Sequence, residues 1–120
     1  MHNVRELKIW EKAVDLVVEI YKLTVDFPSD ERFGLISQIR RAAVSIPSNI
    51  SEGAGRNSPR EFLSFLSIAN GSSYELQTQI TIAYKLGFIN DHQFDDYYNK
   101  LDALQKMNYK LQEAIKNRIK

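Results

Sequence analysis

Four arginines give this sequence its clearest binding chemistry. Arg40 and Arg41 are adjacent, and Arg56 and Arg60 lie in and just beyond a glycine-rich turn. The planar guanidinium group forms forked hydrogen bonds with carboxylates and phosphates, which the ammonium group of lysine does not. The four side chains are therefore candidates for contact with phosphate groups, as in a nucleic acid.

Carboxylates within the chain are the alternative partners of these arginines. Glu52 and Glu75 are the obvious candidates, and a structural ion-pair network with them would occupy at least two of the four guanidinium groups. We expect such pairing for Arg40 and Arg41. We expect exposure to solvent for Arg56 and Arg60.

Side chains that support catalysis or metal binding are scarce. The sequence has two histidines, His2 and His92, and no cysteine, so thiol nucleophiles and zinc–thiolate sites are excluded. His92 has ligand-like spacing to Asp95 and Asp96, but the dipole of a helix N-terminus explains acidic residues there. No serine has a histidine nearby in sequence, and the glycine-rich turn at residues 53–55 is too short for a phosphate-binding loop. The sequence predicts a protein that is not an enzyme and has neither a metal site nor a cofactor.

Four helices account for nearly all of the chain. Apolar residues recur at steps of three and four, which predicts helices over about residues 4–27 and 30–53, a third from the Ser58 cap to about residue 86, and a fourth from Asn90 to near the C-terminus. Ser58, with Pro59 after it and Glu61 three residues on, forms a capping box, and Asn90 repeats this arrangement. The prediction is an all-α, antiparallel up-and-down four-helix bundle, with residues 1–120 as a single domain.

Pro47 interrupts the hydrogen bonding of the second helix but not its apolar spacing. The apolar row keeps its phase on both sides of the proline, at Ile36, Ile39, Ala43, Ile46, Ile50 and Gly53. Pro47 removes the bond to the carbonyl of Ala43, which together with the ring clash costs about 3 kcal/mol. We predict one continuous helix that is kinked at Pro47.

A polar row runs beside this apolar one. It consists of Gln38, Ser45, Asn49, Glu52 and Arg56. Because an amphipathic helix always has polar borders, the row is either a solvated flank or one side of a polar seam.

Two glycines mark the helices next to this row. The second helix is predicted to run to about Gly53, with Gly53-Ala54-Gly55 as its C-terminal breaker. Gly71 lies near Glu75 inside the third, where glycine costs about 1 kcal/mol relative to alanine. We therefore expect another backbone to come close to Gly71, near Ala42, Ala43 and Pro47.

The first helix has two apolar rows, although a helix in an isolated bundle needs one. One row is Leu7, Trp10, Val14, Val17, Tyr21 and Thr24, and the other is Ile9, Ala13, Leu16, Ile20, Leu23 and Phe27. A bundle of this size has little interior in which to bury a helix on both sides. The surplus row predicts contact with another copy of the chain.

Composition and charge point to a cytoplasmic protein that does not enter membranes. The chain has a net charge of +1, and we find neither a signal peptide nor an apolar run of the roughly 18 residues that a membrane span needs. Successive blocks carry −3 (residues 1–31), +4 (32–60), −4 (61–99) and +4 (100–120). Such alternation is typical of nucleic-acid binding or of complementary surfaces between helices and subunits, and the overall balance favours the latter.

The sequence resembles a known bacterial family, the four-helix-bundle proteins encoded within intervening sequences of 23S ribosomal RNA genes. The most specific part is RRAAVSIPSNISEG at residues 40–53. Further matching residues are Leu7, Trp10, Ala13, Arg56, Phe62, Phe65, Leu66, Gly71, Glu75 and Gln79. A more distant resemblance is to the accessory variability determinant of diversity-generating retroelements.

The resemblance implies a homo-oligomer, typically a homopentameric ring, that interacts with RNA or a ribonucleoprotein. In the distant relative, a basic pentamer binds nucleic acid and a reverse transcriptase, whereas this chain is nearly neutral. A protein-interaction scaffold without nucleic-acid binding is the alternative. The candidate RNA contacts remain Arg40, Arg41, Arg56 and Arg60.

Overall fold

The computed structural model describes residues 2–119 and consists of four α-helices. These are α1 (Lys8–Thr24), α2 (Leu35–Ala54), α3 (Pro59–Lys85) and α4 (Asp91–Ile119). Each helix packs against the next along the chain, and α4 also contacts α1. The predicted all-α four-helix bundle is confirmed.

Capping residues set the start of the last two helices. Ser58 Oγ accepts a hydrogen bond from the Glu61 amide at 3.2 Å, with proline at the first helical position. At the start of α4, Asn90 Oδ1 accepts from the Gln93 amide at 2.8 Å, and Gln93 Oε1 accepts from the Asn90 amide at 2.9 Å. The capping box at Asn90 forms as predicted, and at Ser58 the predicted N-cap hydrogen bond forms.

The predicted starts of the first two helices are wrong by several residues. A short 3-10 helix, Val4–Glu6, precedes α1, and another, Ser29–Glu31, precedes α2. Gly34, with φ −105° and ψ −109°, separates the second of these from α2. Glu31 Oε1 accepts from the first amide of α2, that of Leu35, at 3.2 Å. The backbone break at Gly34 therefore delays the helix that was predicted from residue 30.

The core is formed by one apolar row from each helix. On α1 it is the second predicted row, with Ile20 fully buried. Its main contributors on the other helices are Ile39, Ala43, Ile46 and Ile50 on α2, Phe62, Leu66, Ala69, Leu76 and Ile80 on α3, and Leu101, Leu104 and Ile115 on α4. Burying each large side chain contributes about 1.5–3 kcal/mol. Asn108 is one of the buried polar residues, and its side chain donates to the Leu66 carbonyl at 2.9 Å.

Helix α2 continues through Pro47, as predicted. Pro47 is buried on the side of α2 that faces α1. Gly53 also lies inside the helix rather than ending it, and Gly55 is the C-cap. A Cβ atom at Gly53 would lie 2.7 Å from Phe65 Cβ and 3.0 Å from Phe62 Cδ1. Gly53 is therefore the glycine at which α2 and α3 come close.

The expected close approach at Gly71 is wrong. Gly71 is exposed, and a Cβ atom added there would have no neighbouring atom within 4 Å. It lies outside the buried face of α3, which passes through Ala69, Ser73 and Leu76.

No helix within residues 2–119 combines the length and the apolarity that a membrane crossing requires.

Candidate functional site

The polar row of α2 faces α3 and forms a seam with it. Ser45 Oγ and Ser72 Oγ lie 2.8 Å apart in a hydrogen bond. The Asn49 amide donates to the Ser45 carbonyl at 2.8 Å and to Ser45 Oγ at 2.9 Å. For these residues the seam interpretation is therefore the right one, and the solvated flank is wrong.

Gln79 and Glu75 continue the seam on α3. The Gln79 residue is 6% exposed. Its Nε2 donates to Glu75 Oε1 at 3.4 Å, while its buried Oε1 has no hydrogen-bond partner within the described chain. The Glu75 carboxylate, which was expected to pair with an arginine, forms no ion pair with any residue in the range 2–119.

Arg56 closes the seam at the C-terminal end of α2. Its guanidinium lies 3.2 Å from Glu52 Oε1 and 3.5 Å from Glu61 Oε1, and it sits over the Phe65 ring at 5.1 Å. Its side chain is 44% exposed, so it is both partly exposed, as expected, and internally paired, which was not expected. The i,i+4 spacing to Glu52 was a usable signal for one of these contacts.

Arg40 binds to α1 rather than to a carboxylate. Its Nε donates to Thr24 Oγ1 at 2.9 Å, its Nη2 donates to the Tyr21 carbonyl at 3.3 Å, and the guanidinium stacks 4.5 Å from the centre of the Tyr21 ring. The expected pairing with Glu52 or Glu75 is wrong. Sequence reasoning missed Thr24 because it counted this residue only as a member of an apolar row.

Arg41 and Arg60 are exposed and form no ion pair with any described residue. For Arg41 this contradicts the expected pairing, and for Arg60 it agrees with the expected exposure. The structure does not bring the four arginines together: Arg40 and Arg41 lie in the first half of α2, whereas Arg56 and Arg60 flank its C-terminal turn. Two of the four can contact a phosphate without breaking an internal ion pair or stacking contact.

The outer side of α1 and α2 carries several exposed apolar side chains. We define the α1–α2 apolar face as Trp10, Val14, Val18 and Tyr21 on α1, Val25 at its C-cap, and Val44 on α2 beside the buried Pro47. The α1 members follow i, i+4, i+7 spacing and share one side of the helix. Val25 is 70% exposed, Val18 49%, Tyr21 41% and Val44 39%. Trp10, Val14 and Pro47 line one shallow depression on this face.

This face shares Trp10, Val14 and Tyr21 with the first of the two rows predicted for the first helix. The other row lies in the core, whereas Leu7, Trp10, Val14 and Val17 are half-buried at its edge. Thr24 departs from the row because it is buried beneath Arg40. Val18 and Val25, which belong to neither predicted row, extend the exposed apolar surface.

The two histidines lie near opposite ends of the bundle. The His2 ring packs against Phe62 with centroids 4.9 Å apart. Burial, followed by the positive charges of the N-terminus and Arg118, lowers the pKa of His2 below 6.5. His92 is exposed in the first turn of α4. Within residues 2–119, no three His, Asp or Glu side chains are grouped as metal ligands.

Comparison with known proteins identifies a family and a solved structure of similar fold. A family model described as 23S rRNA-intervening sequence protein matches residues 5–110. A crystal structure of a protein of unknown function from the S23 ribosomal protein family of Bacteroides thetaiotaomicron superposes with a TM-score of 0.81 at 22% identity, covering 88% of this chain and 95% of that one. A search of curated proteins finds no significant match. At this identity the structural likeness concerns the fold alone.

Proposed function

Because this chain belongs to the family of 23S rRNA-intervening sequence proteins, we propose that it is a non-enzymatic, homo-oligomeric protein that binds RNA or a ribonucleoprotein. The observation that carries the proposal is the α1–α2 apolar face. The expected assembly is a ring of five subunits, which rests on the family resemblance, and its place of action is the cytoplasm.

Self-association accounts for the α1–α2 apolar face in physical terms. Monomeric proteins rarely expose contiguous apolar patches larger than a few hundred Å², and larger patches mark sites of association. Val18 is 49% exposed and Val25, at the C-cap of α1, is 70% exposed, although both side chains are apolar. A second copy of the chain would cover them and remove their apolar surface from water.

RNA binding requires positive charge that is not neutralised within the subunit. Arg41 and Arg60 supply such charge. A subunit with net charge +1 binds a polyanion weakly, but an assembly presents each arginine several times, and linked contacts raise the overall affinity by avidity. The proposal therefore links RNA affinity to oligomerisation.

A protein-interaction scaffold is the second candidate. The observation in its favour is that Arg40 and Arg56, half of the candidate arginines, already have partners within the chain. The more distant resemblance to the accessory variability determinant stays a prediction, as does any reverse-transcriptase partner.

Filter binding of a structured RNA at about 50 mM and about 200 mM salt tests the proposal. We expect binding that weakens steeply with salt and is reduced in the Arg41→Ala/Arg60→Ala variant. The matched control is Arg40→Ala/Arg56→Ala, which removes the same charge from internally occupied positions and should reduce binding less.

A charge placed in the α1–α2 apolar face tests the link to assembly. Val18→Glu should separate the subunits, leave the helical content intact and weaken RNA binding through the loss of avidity. Wild-type protein that binds no RNA at either salt concentration would favour the scaffold. An equal loss of RNA affinity in the two double-arginine variants would show that the positions of the arginines are irrelevant and that only the total charge matters.

A further inference from the structure

A groove on the outer side of α3 and α4 combines exposed tyrosines with lysines. It has a volume of ≈ 380 Å³ and is lined by Tyr74, Asp102, Gln105, Lys106, Tyr109 and Lys110. We call this the α3–α4 tyrosine groove. It lies on the opposite pair of helices from the α1–α2 apolar face, and none of the four candidate arginines lines it.

Both tyrosine rings in this groove are unusually accessible. Tyr109 is 66% exposed and Tyr74 is 53% exposed. Neither hydroxyl forms a hydrogen bond, nor either ring an aromatic contact, with another described residue. Since the core accounts for neither ring, each ring has exposed surface available to a planar ligand.

A second group of aromatic rings lies on the same helix pair, nearer the start of α4. Phe94 stacks on Tyr84 with ring centroids 4.4 Å apart and contacts Tyr98 at 5.4 Å. Tyr98 is 41% exposed. The Gln77 side chain donates to the Tyr98 carbonyl and accepts from the Gln105 amide, so this helix pair holds its groove residues in a fixed register.

Positive charge borders the tyrosines on α4. Lys110 forms no ion pair within residues 2–119. Lys106 pairs with Asp102 at 3.1 Å, but its side chain is 75% exposed. Such an exposed pair contributes little to stability and yields readily to a phosphate. Asp102 is the one carboxylate among the lining residues, so the two lysines leave the groove with a net positive charge.

We infer that the α3–α4 tyrosine groove binds single-stranded RNA, with unpaired bases stacked on Tyr74 and Tyr109 and the phosphates beside Lys106 and Lys110. This inference rests on the proposed RNA-binding function and names its site and substrate class. Stacking on aromatic side chains is tolerant of sequence because every base presents a flat face. It also requires unpaired bases, so a perfect duplex is a poor ligand.

Fluorescence anisotropy with a labelled single-stranded oligoadenylate and the same strand in a duplex tests the inference. Tyr74→Ala/Tyr109→Ala should weaken single-strand binding by at least about tenfold, whereas Tyr74→Phe/Tyr109→Phe should keep wild-type affinity because the rings remain. Phe33→Ala is the matched control, since it removes a ring that is 88% exposed at another place on the surface. Lys110→Gln should reduce the slope of log affinity against log salt by about 0.7.

The failures of the two proposals are distinguishable. If wild-type protein binds neither probe nor a structured RNA, the RNA-binding function fails and the groove inference falls with it. If wild-type protein binds RNA but the alanine pair binds as tightly as wild type, or the duplex binds as tightly as the single strand, the groove inference alone is overturned. Because both tyrosines are exposed, Tyr74→Ala/Tyr109→Ala should keep its helical content. Tyr74→Phe/Tyr109→Phe and Lys110→Gln test the site even if that alanine variant loses its fold.

Discussion

Replacing Gly53 with alanine should destabilise the bundle, although alanine is the better helix former. A Cβ atom there would lie 2.7 Å from Phe65 Cβ, 3.0 Å from Phe62 Cδ1 and 3.4 Å from Phe62 Cα. Phe65 Cβ is fixed to the backbone of α3, so a change of rotamer cannot move it away. The two helices must separate by several tenths of an ångström, and overpacking of this kind costs about 1–3 kcal/mol.

The same substitution at Gly71 supplies the control. Gly71 is exposed inside α3, and an added Cβ atom meets nothing within 4 Å. Alanine there should stabilise the helix by about 1 kcal/mol. Because the gain in helix propensity applies at both positions, the two variants should differ in free energy of unfolding by the overpacking cost of about 1–3 kcal/mol, with Gly71→Ala the more stable.

Urea denaturation followed by circular dichroism measures both changes. All variants need the same protein concentration, because the stability of an oligomer depends on it. Stabilisation by Gly53→Ala would refute the close packing of α2 on α3. Destabilisation by Gly71→Ala would show that the outer face of α3 is covered in the assembled protein.

Three further predictions concern single side chains. Arg40→Lys should lower the free energy of unfolding by about 1–2 kcal/mol, because lysine cannot both donate to Thr24 and stack on Tyr21 as a planar group; an unchanged urea midpoint would contradict this. Asn108→Asp should lower the free energy of unfolding by about 3 kcal/mol near neutral pH, since it places a carboxylate against the Leu66 carbonyl. The loss should be smaller in acid, where the carboxyl is protonated and can donate a hydrogen bond. An equal loss of stability at both pH values would contradict this prediction. Because burial lowers the pKa of His2 below 6.5, the unfolded chain binds the proton before the folded chain as the pH falls through 6.5, so the free energy of unfolding should fall there. His2→Gln should abolish that part of the pH dependence. Identical pH profiles of stability for the wild type and His2→Gln would show that His2 does not contribute.

The helices could be predicted because their signals are local, whereas the sequence left open whether the polar row of α2 is a solvated flank or a seam. Capping boxes at Ser58 and Asn90 lie within four residues of sequence, and apolar spacing identifies the buried face of each helix directly. The phase of the apolar row across Pro47 was also sufficient to predict a continuous α2. Gly34 shows the limit of such signals. The break before α2 depends on the backbone conformation of this one residue, which the local sequence pattern did not predict.

The partners of the arginines could not be predicted in the same way. Arg40 meets Thr24 and Tyr21, which are 16 and 19 residues earlier, and their meeting depends on the register between α1 and α2. Arg56 meets Glu52 at helical spacing, which is a local signal, but also Glu61 across a turn. The apolar rows of the sequence distinguish Gly53 from Gly71. Gly53 falls in the buried row of α2, whereas Gly71 falls outside the buried row of α3.

The account depends most on self-assembly through the α1–α2 apolar face. Light scattering on purified protein at micromolar concentration measures the mass of the particle directly. Five copies of the 13.9 kDa subunit give a particle of about 70 kDa, and we predict that mass for the wild type and a monomer for Val18→Glu. A wild-type mass of 13.9 kDa would contradict the account, because the apolar face would then be exposed without a partner and the avidity that RNA binding needs would be absent.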